Sequence, residues 1–161
     1  MNIFDSYSKL VLETLNKNAV AYLVVGGYAV NYYGYNRTTG DIDLWIKPDN
    51  INRDKIIKAL KSLNVDESSL DVLKNMNFEE HLVFSDGEKP FKIDFMTHDS
   101  GVNFSDAWIG KQMSEIEGLH IPFINLHHLV ISKFSTGRPQ DKLDVEELQR
   151  IQQIKNNKKL K

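Results

Sequence analysis

The sequence predicts an α/β (α+β) fold, a mixed sheet of four to five strands with helices on one face, and three observations carry that prediction. Short apolar runs of strand character, Val20 to Val25, Asp41 to Ile46 and Phe91 to Met96, are interleaved with segments whose apolar residues recur at helical spacing. A glycine pair, Gly26-Gly27, closes the first run, and Asp41-Ile42-Asp43 opens the second after 13 intervening residues. Lone Asp94 sits inside the third.

Taken in order, Phe4, Tyr7, Val11 and Leu15 mark a helix over about 5–17, with Asp5 or Ser6 as its cap. Val20 to Val25 reads as a buried strand, and 28–33 as a short helix stopped near Gly34. Asp41 to Ile46 is a strand halted by Lys47-Pro48, and Asn52 is expected to cap a helix with the stripe Ile56, Ile57, Leu60 and Leu63. Residues 66–78 suggest a helical turn and loop. His81 to Phe84 and Phe91 to Met96 suggest an antiparallel pair turning through Asp86-Gly87. Leu119 to Ile124, carrying Pro122, suggests an edge strand. Two helices, 126–134 and 141–154, flank Thr136-Gly137-Arg138-Pro139, so a C-terminal helical part spans about 126–155 before a basic tail over 155–161.

With 161 residues the length fits one domain, 1–161. The 41% hydrophobic and 26% charged fractions are those of an ordinary globular protein. No apolar run reaches the ~18 residues of a membrane helix, and Met1 to Asp5 lack a signal-peptide pattern, so no membrane association and a cytoplasmic location are expected. Cysteine is absent, which excludes disulfides, thiol nucleophiles and thiolate metal sites and leaves oxygen or imidazole as metal ligands. The net charge of −2, from 20 basic and 22 acidic residues, provides no general attraction for a nucleic-acid backbone.

Side chains alternate across a strand, so Asp41 and Asp43 project from one face roughly 7 Å apart while Ile42, Leu44 and Ile46 project from the other. Phe91, Ile93 and Phe95 form the expected buried row of the later strand and put Asp94 opposite. Three acids on one face suit Mg²⁺, a hard cation that takes oxygen ligands and keeps positions for water and substrate phosphates. Metals held by shared carboxylates can serve an in-line displacement at phosphorus. Gly26-Gly27 at a strand-to-helix turn allows backbone N–H groups close to a phosphate. Trp45 shares the face of Asp41 and Asp43 and is read either as a base-stacking ring or as packing under a helix. Adjacent His127 and His128 diverge on a helix and are not read as a chelating pair.

The order apolar-Gly26-Gly27, then Asp41-Ile42-Asp43, then Asp94 resembles the nucleotidyltransferase superfamily with its polymerase-beta-like palm. The stretch 22–46, with Arg37-Thr38-Thr39-Gly40 before the acids, is similar to small bacterial members related to abortive-infection toxins. The resemblance implies transfer of a nucleoside monophosphate from an NTP, such as ATP, to an acceptor with release of pyrophosphate and dependence on Mg²⁺ or Mn²⁺. It implies that Asp41, Asp43 and Asp94 hold the metals, with Asp94 also placed to help deprotonate the acceptor. Gly26, Gly27 and Lys133 would meet the triphosphate. Tyr28 stands where many members have Ser, so Arg37 or Thr39 would take that share. Arg138-Pro139-Gln140-Asp141-Lys142 with Asp144 resembles a signature of the toxin-related members, where an acid lies near the cleft, although a helix cap explains Asp141 equally. A toxin–antitoxin partner follows from the same resemblance, and the acceptor stays open among a small molecule, a protein and a tRNA. Two alternatives are a non-catalytic nucleotide-binding or antitoxin-like module of the same fold and a metal-dependent phosphohydrolase.

Overall fold

Asp5 begins the first element, as its carboxylate accepts from the backbone N–H groups of Tyr7 and Ser8 and caps α1 (Ser6–Lys17). That helix buries Val11, Leu12 and Leu15 completely. The apolar run that follows becomes β1 (Tyr22–Val25), buried at every position, as expected of a central strand covered on both faces. Gly26 and Gly27 are themselves the first turn of α2 (Gly26–Tyr32), which therefore starts two residues before its predicted position. A computed structural model is the source of this description, and it covers residues 4–161. The first three residues of the segment read for a leader peptide lie outside the described residues.

β2 (Ile42–Ile46) runs antiparallel to β1, with Val25 opposite Asp43. α3 (Asn50–Ser62) follows, capped by Asp49 and not by Asn52. Asn52 is buried and does something else: its amide group binds the backbone N–H and C=O of Ala21 and the C=O of Lys47, pinning the helix to the sheet. α4 (Glu67–Lys74) converts the predicted turn into two full turns, capped by Asp66. β3 (Val83–Asp86) and β4 (Ile93–Met96) form the predicted antiparallel pair. Ile93 and Phe95 are fully buried, but Phe91 precedes the strand and is half exposed, so it does not join that row.

Two elements escape the sequence reading. α5 (Phe104–Ile109) is a six-residue helix capped by Asn103. β5 (Gln112–Ile116) pairs with β6 (Leu119–Phe123) through Glu117 and Gly118, whose φ angles of 52° and 82° are those of a two-residue hairpin turn. Five of the six strands were therefore expected at most. The sheet order is β3-β4-β2-β1-β6-β5, with β2–β4 and β1–β6 parallel and the other pairs antiparallel. β6 consequently lies inside the sheet, against the edge position Pro122 suggested, because β5 covers its free side.

α6 (Leu126–Thr136) ends at Gly137, which adopts the left-handed φ of 67°, and Pro139 opens α7 (Pro139–Lys159). α7 continues to Lys159, so most of the basic tail is the exposed last turn of a helix. None of the described helices is long and apolar enough to cross a membrane.

Candidate functional site

The parallel pairing of β2 and β4 sets Asp43 directly beside Asp94, and Ile42 N–H donates to Lys92 C=O at 3.1 Å one step earlier. Asp41 precedes β2 and Lys92 precedes β4, so alternation puts Asp41, Asp43, Lys92 and Asp94 on one sheet face as a two-by-two patch. On the opposite face Ile42, Leu44, Ile93 and Phe95 are buried in the core. Further along the acid face Trp45 is 1% exposed and meets Phe104 of α5 edge to face, at 5.3 Å between rings. Trp45 thus packs under a helix and is not a platform for a base.

Gly26 follows β1 directly and opens α2 beside this patch. A Cβ there would lie 2.1 Å from Asp43 Oδ2, and the φ of 65° disfavours any side chain, so glycine is what lets the Asp43 carboxylate occupy its position. Next door the constraint is space alone, since a Cβ on Gly27 would lie 2.2 Å from Thr39 Oγ1. The two glycines bring the loop of Arg37 and Thr39 and the acid of β2 against the start of α2.

The opposite wall comes from α6 and α7. Lys133 is buried, and its ammonium donates to Asp141 Oδ1 at 2.9 Å and lies 3.1 Å from Asp144 Oδ2. Arg37 donates to both oxygens of Asp144, through Nε at 2.7 Å and through a terminal nitrogen at 2.9 Å. Arg138 donates through Nε to Asp141 at 2.8 Å with its side chain 73% exposed. Gly27, Arg37, Thr39, Asp41, Asp43, Lys133, Arg138, Gln140 and Asp141 line a single cleft of about 270 Å³. Larger cavities open elsewhere, one beside α4 and one near His81 and His98, and neither reaches these residues.

Charge separates the two walls. Burial, then the neighbouring charge of Asp94, pushes the Asp43 carboxyl up to about 6, with Asp41 adding to the rise and Lys133 and Arg138 opposing it. Burial would also raise Asp141 and Asp144, yet both are held below the ordinary carboxylate value. Hydrogen bonds from Thr136, Lys133 and Arg138 to the first, and from Arg37, Gln140 and Lys133 to the second, outweigh the burial.

The sequence-predicted residues Gly26, Gly27, Arg37, Thr39, Asp41, Asp43, Asp94 and Lys133 all come together at this end of the sheet. Among the described residues, however, no three acidic or imidazole side chains are gathered closely enough to enclose an ion as they stand. Lys92, which the sequence reading passed over, lies 3.4 Å from Asp41 Oδ2 and 3.3 Å from Asp94 Oδ1. Asp41 Oδ1 is buried without a hydrogen-bond partner. Ser85 of β3 donates to Asp94 Oδ1. An orphaned carboxylate oxygen beside two further carboxylates suits a hard divalent cation in donor chemistry, with a shift of Lys92 needed to bring the oxygens together. Arg138 and Ser85 were also missed as members of the site. Alternation aims Lys92 and Ser85 at the acid face, and Arg138 opens the stretch quoted for its family resemblance, where the acids and not the arginine were singled out.

The profile of the family described as nucleotidyltransferase of unknown function (DUF6036) matches residues 1–160. A search of curated proteins finds no match. Among solved structures, the lincomycin-bound lincosamide antibiotic adenylyltransferase LnuA is similar in fold, with a TM-score of 0.54 at 16% identity over 94% of this chain and 99% of that one. A Thermotoga maritima structure described as a nucleotidyltransferase aligns over 96% of this chain and 92% of its own, at 13% identity and a TM-score of 0.49.

Proposed function

The chain belongs to the DUF6036 family of nucleotidyltransferases, and from that premise we propose that it moves a nucleoside monophosphate from an NTP to an acceptor hydroxyl, with release of pyrophosphate and dependence on Mg²⁺. The observation that carries the reading is the facing of Asp43 and Asp94 on parallel strands, beside the buried and unpartnered Oδ1 of Asp41. Asp41, Asp43 and Asp94 would hold the metal. Once bound, Mg²⁺ supplies charge neutralisation at the phosphates and lowers the cost of forming the new P–O bond.

The chain's own groups would do the rest. Asp94, steadied by the Ser85 hydroxyl, would take the proton of the acceptor hydroxyl as its oxygen attacks the α-phosphorus. Arg138, mostly exposed and bound to Asp141 only through Nε, would turn its terminal N–H groups to the phosphates. Lys133 and Arg37 would add positive potential from behind while their own hydrogen bonds fix the wall in place. The electrons of the breaking P–O bond would pass to pyrophosphate, whose charge develops towards this basic wall.

Incubation of the protein with labelled ATP, GTP, CTP or UTP, Mg²⁺ and a fractionated cell extract tests the reading. An acceptor heavier by one nucleoside monophosphate, with equimolar pyrophosphate, is expected. Label released only as free nucleotide would establish a phosphohydrolase, and nucleotide bound without turnover in every fraction would establish a binding module.

A further inference from the structure

Lys92 occupies the fourth corner of the patch whose other three corners are acids, and no step of the proposed transfer uses it. Its backbone is fixed, since its carbonyl accepts from Ile42 N–H and the next residue, Ile93, is paired with Ile42 and wholly buried. Its side chain is 28% exposed and spans Asp41 and Asp94, the two acids it contacts, without touching Asp43. These contacts, at 3.4 and 3.3 Å, are longer than the ~2.8 Å of a strong charge-assisted hydrogen bond. By contrast Lys133, also between two acids, sits at 2.9 and 3.1 Å and is buried. One lysine is locked and the other is loosely held at the rim.

We propose that Lys92 is a resident counter-ion of the carboxylate patch, a positioning residue that holds Asp41 and Asp94 in the absence of metal and that a divalent cation displaces when it binds. This rests on the reading of Asp41 and Asp94 as metal ligands. An ammonium on Asp41 Oδ2 and Asp94 Oδ1 competes with a divalent cation for these carboxylates, because the ion needs their oxygens at about 2.0–2.1 Å and repels the like charge beside them. The exchange moves one positive charge out and brings two in. It explains why the acids face one another and yet are not closed into a ring: two of them are drawn onto Lys92 and the third, Asp43, is left without it. The displaced ammonium remains at the open edge of the patch, so the site's affinity for metal is set by a contest within the protein.

Two measurements on the metal-binding step, made without nucleotide, test this. Manganese titration followed by electron paramagnetic resonance should show Lys92→Met binding Mn²⁺ about tenfold more tightly than wild type, since a neutral side chain neither occupies the oxygens nor repels the ion. Lys92→Arg, which keeps the charge, should not gain affinity. In the wild-type protein, reductive methylation read by peptide mass spectrometry should label Lys92 several-fold faster with saturating Mg²⁺ than in EDTA, relative to exposed Lys58. Equal Mn²⁺ affinity in wild type and Lys92→Met, or a labelling rate that metal does not change, overturns the counter-ion role and leaves the nucleotidyl-transfer reading standing. Absence of Mn²⁺ binding in wild type and Lys92→Met alike overturns both.

Discussion

The two walls of the cleft are built from the same residue types and behave in opposite ways. On the α6/α7 wall, Arg37, Lys133 and Arg138 are matched against Asp141 and Asp144 by hydrogen bonds of 2.7 to 2.9 Å, and Asp144 is fully buried. On the sheet wall, Asp41 and Asp94 share one loosely held lysine, one Asp41 oxygen has no partner, and the Asp43 carboxyl, which that lysine does not touch, is pushed up to about 6. A satisfied network fixes geometry, because breaking any member strands a buried charge. An unsatisfied one stores a demand for positive charge. On the proposed reading, the helical wall is the rigid side, from which Arg138 would reach the phosphates, and the sheet wall is where a cation would act.

The sharpest way to break this contrast is to neutralise one acid on each wall. Asp43→Asn should lower nucleotidyl transfer by orders of magnitude, because a central ligand loses its charge, and should leave the metal-free protein at least as stable as wild type, because a repelled carboxylate is gone. Steady-state kinetics at saturating Mg²⁺ together with urea midpoints in EDTA check both halves. Near-normal turnover would remove Asp43 from the metal site. Asp144→Ala should do the reverse to stability: stranding Lys133 and Arg37 at a buried position is expected to cost about 3–5 kcal/mol in unfolding free energy. A loss below ~1 kcal/mol in urea denaturation would show that solvent or Asp141 takes over both cations, and the scaffold role would fall.

The sheet wall was legible in the sequence and the helical wall was only half so, for physical reasons. Period-two alternation places Asp41, Asp43 and Asp94 without knowledge of their neighbours, and the apolar runs around them mark β2 and β4. The helical stripes of α1 and α3 were equally plain. β5 was hidden because Gln112, Met113, Ser114 and Glu115 have no buried face to pattern, and because its hairpin turns on Glu117-Gly118 and not on Asn-Gly or Asp-Gly. α5 is too short to display a period. Lys133 and Asp144 were picked out by family resemblance alone, and their partnership with Arg37, 107 residues from Asp144, is a product of tertiary structure. Lys92 is the instructive miss: its alternation with Asp94 was visible, but only the register of β4 against β2 brings it to Asp41.

The smallest expected effect is on pH dependence, and it sharpens the comparison because the two walls carry opposite signs. In metal-free protein the folded Asp43 titrates near 6 against an ordinary value of 3.8, so the folded state holds that proton more tightly than the unfolded chain. Acidification through 6 therefore adds stability, and the gain is complete below 3.8. Asp141 and Asp144 titrate below 3.8 when folded, so their contribution is full above that value and is lost as pH falls through their folded values. The urea midpoint measured in EDTA should accordingly rise from pH 7 towards 4.5 and fall below about 3.8. Asp99, which burial also raises, contributes to the rise, so the diagnostic is the difference between wild type and Asp43→Asn, whose rise should be shallower. Saturating Mg²⁺ should flatten the wild-type rise as well, since metal and proton compete for the same carboxylate. A wild-type slope in EDTA that matches Asp43→Asn across pH 7 to 4.5 would mean that Asp43 is not under strain, and the distinction between a satisfied wall and a demanding one would lose its electrostatic basis.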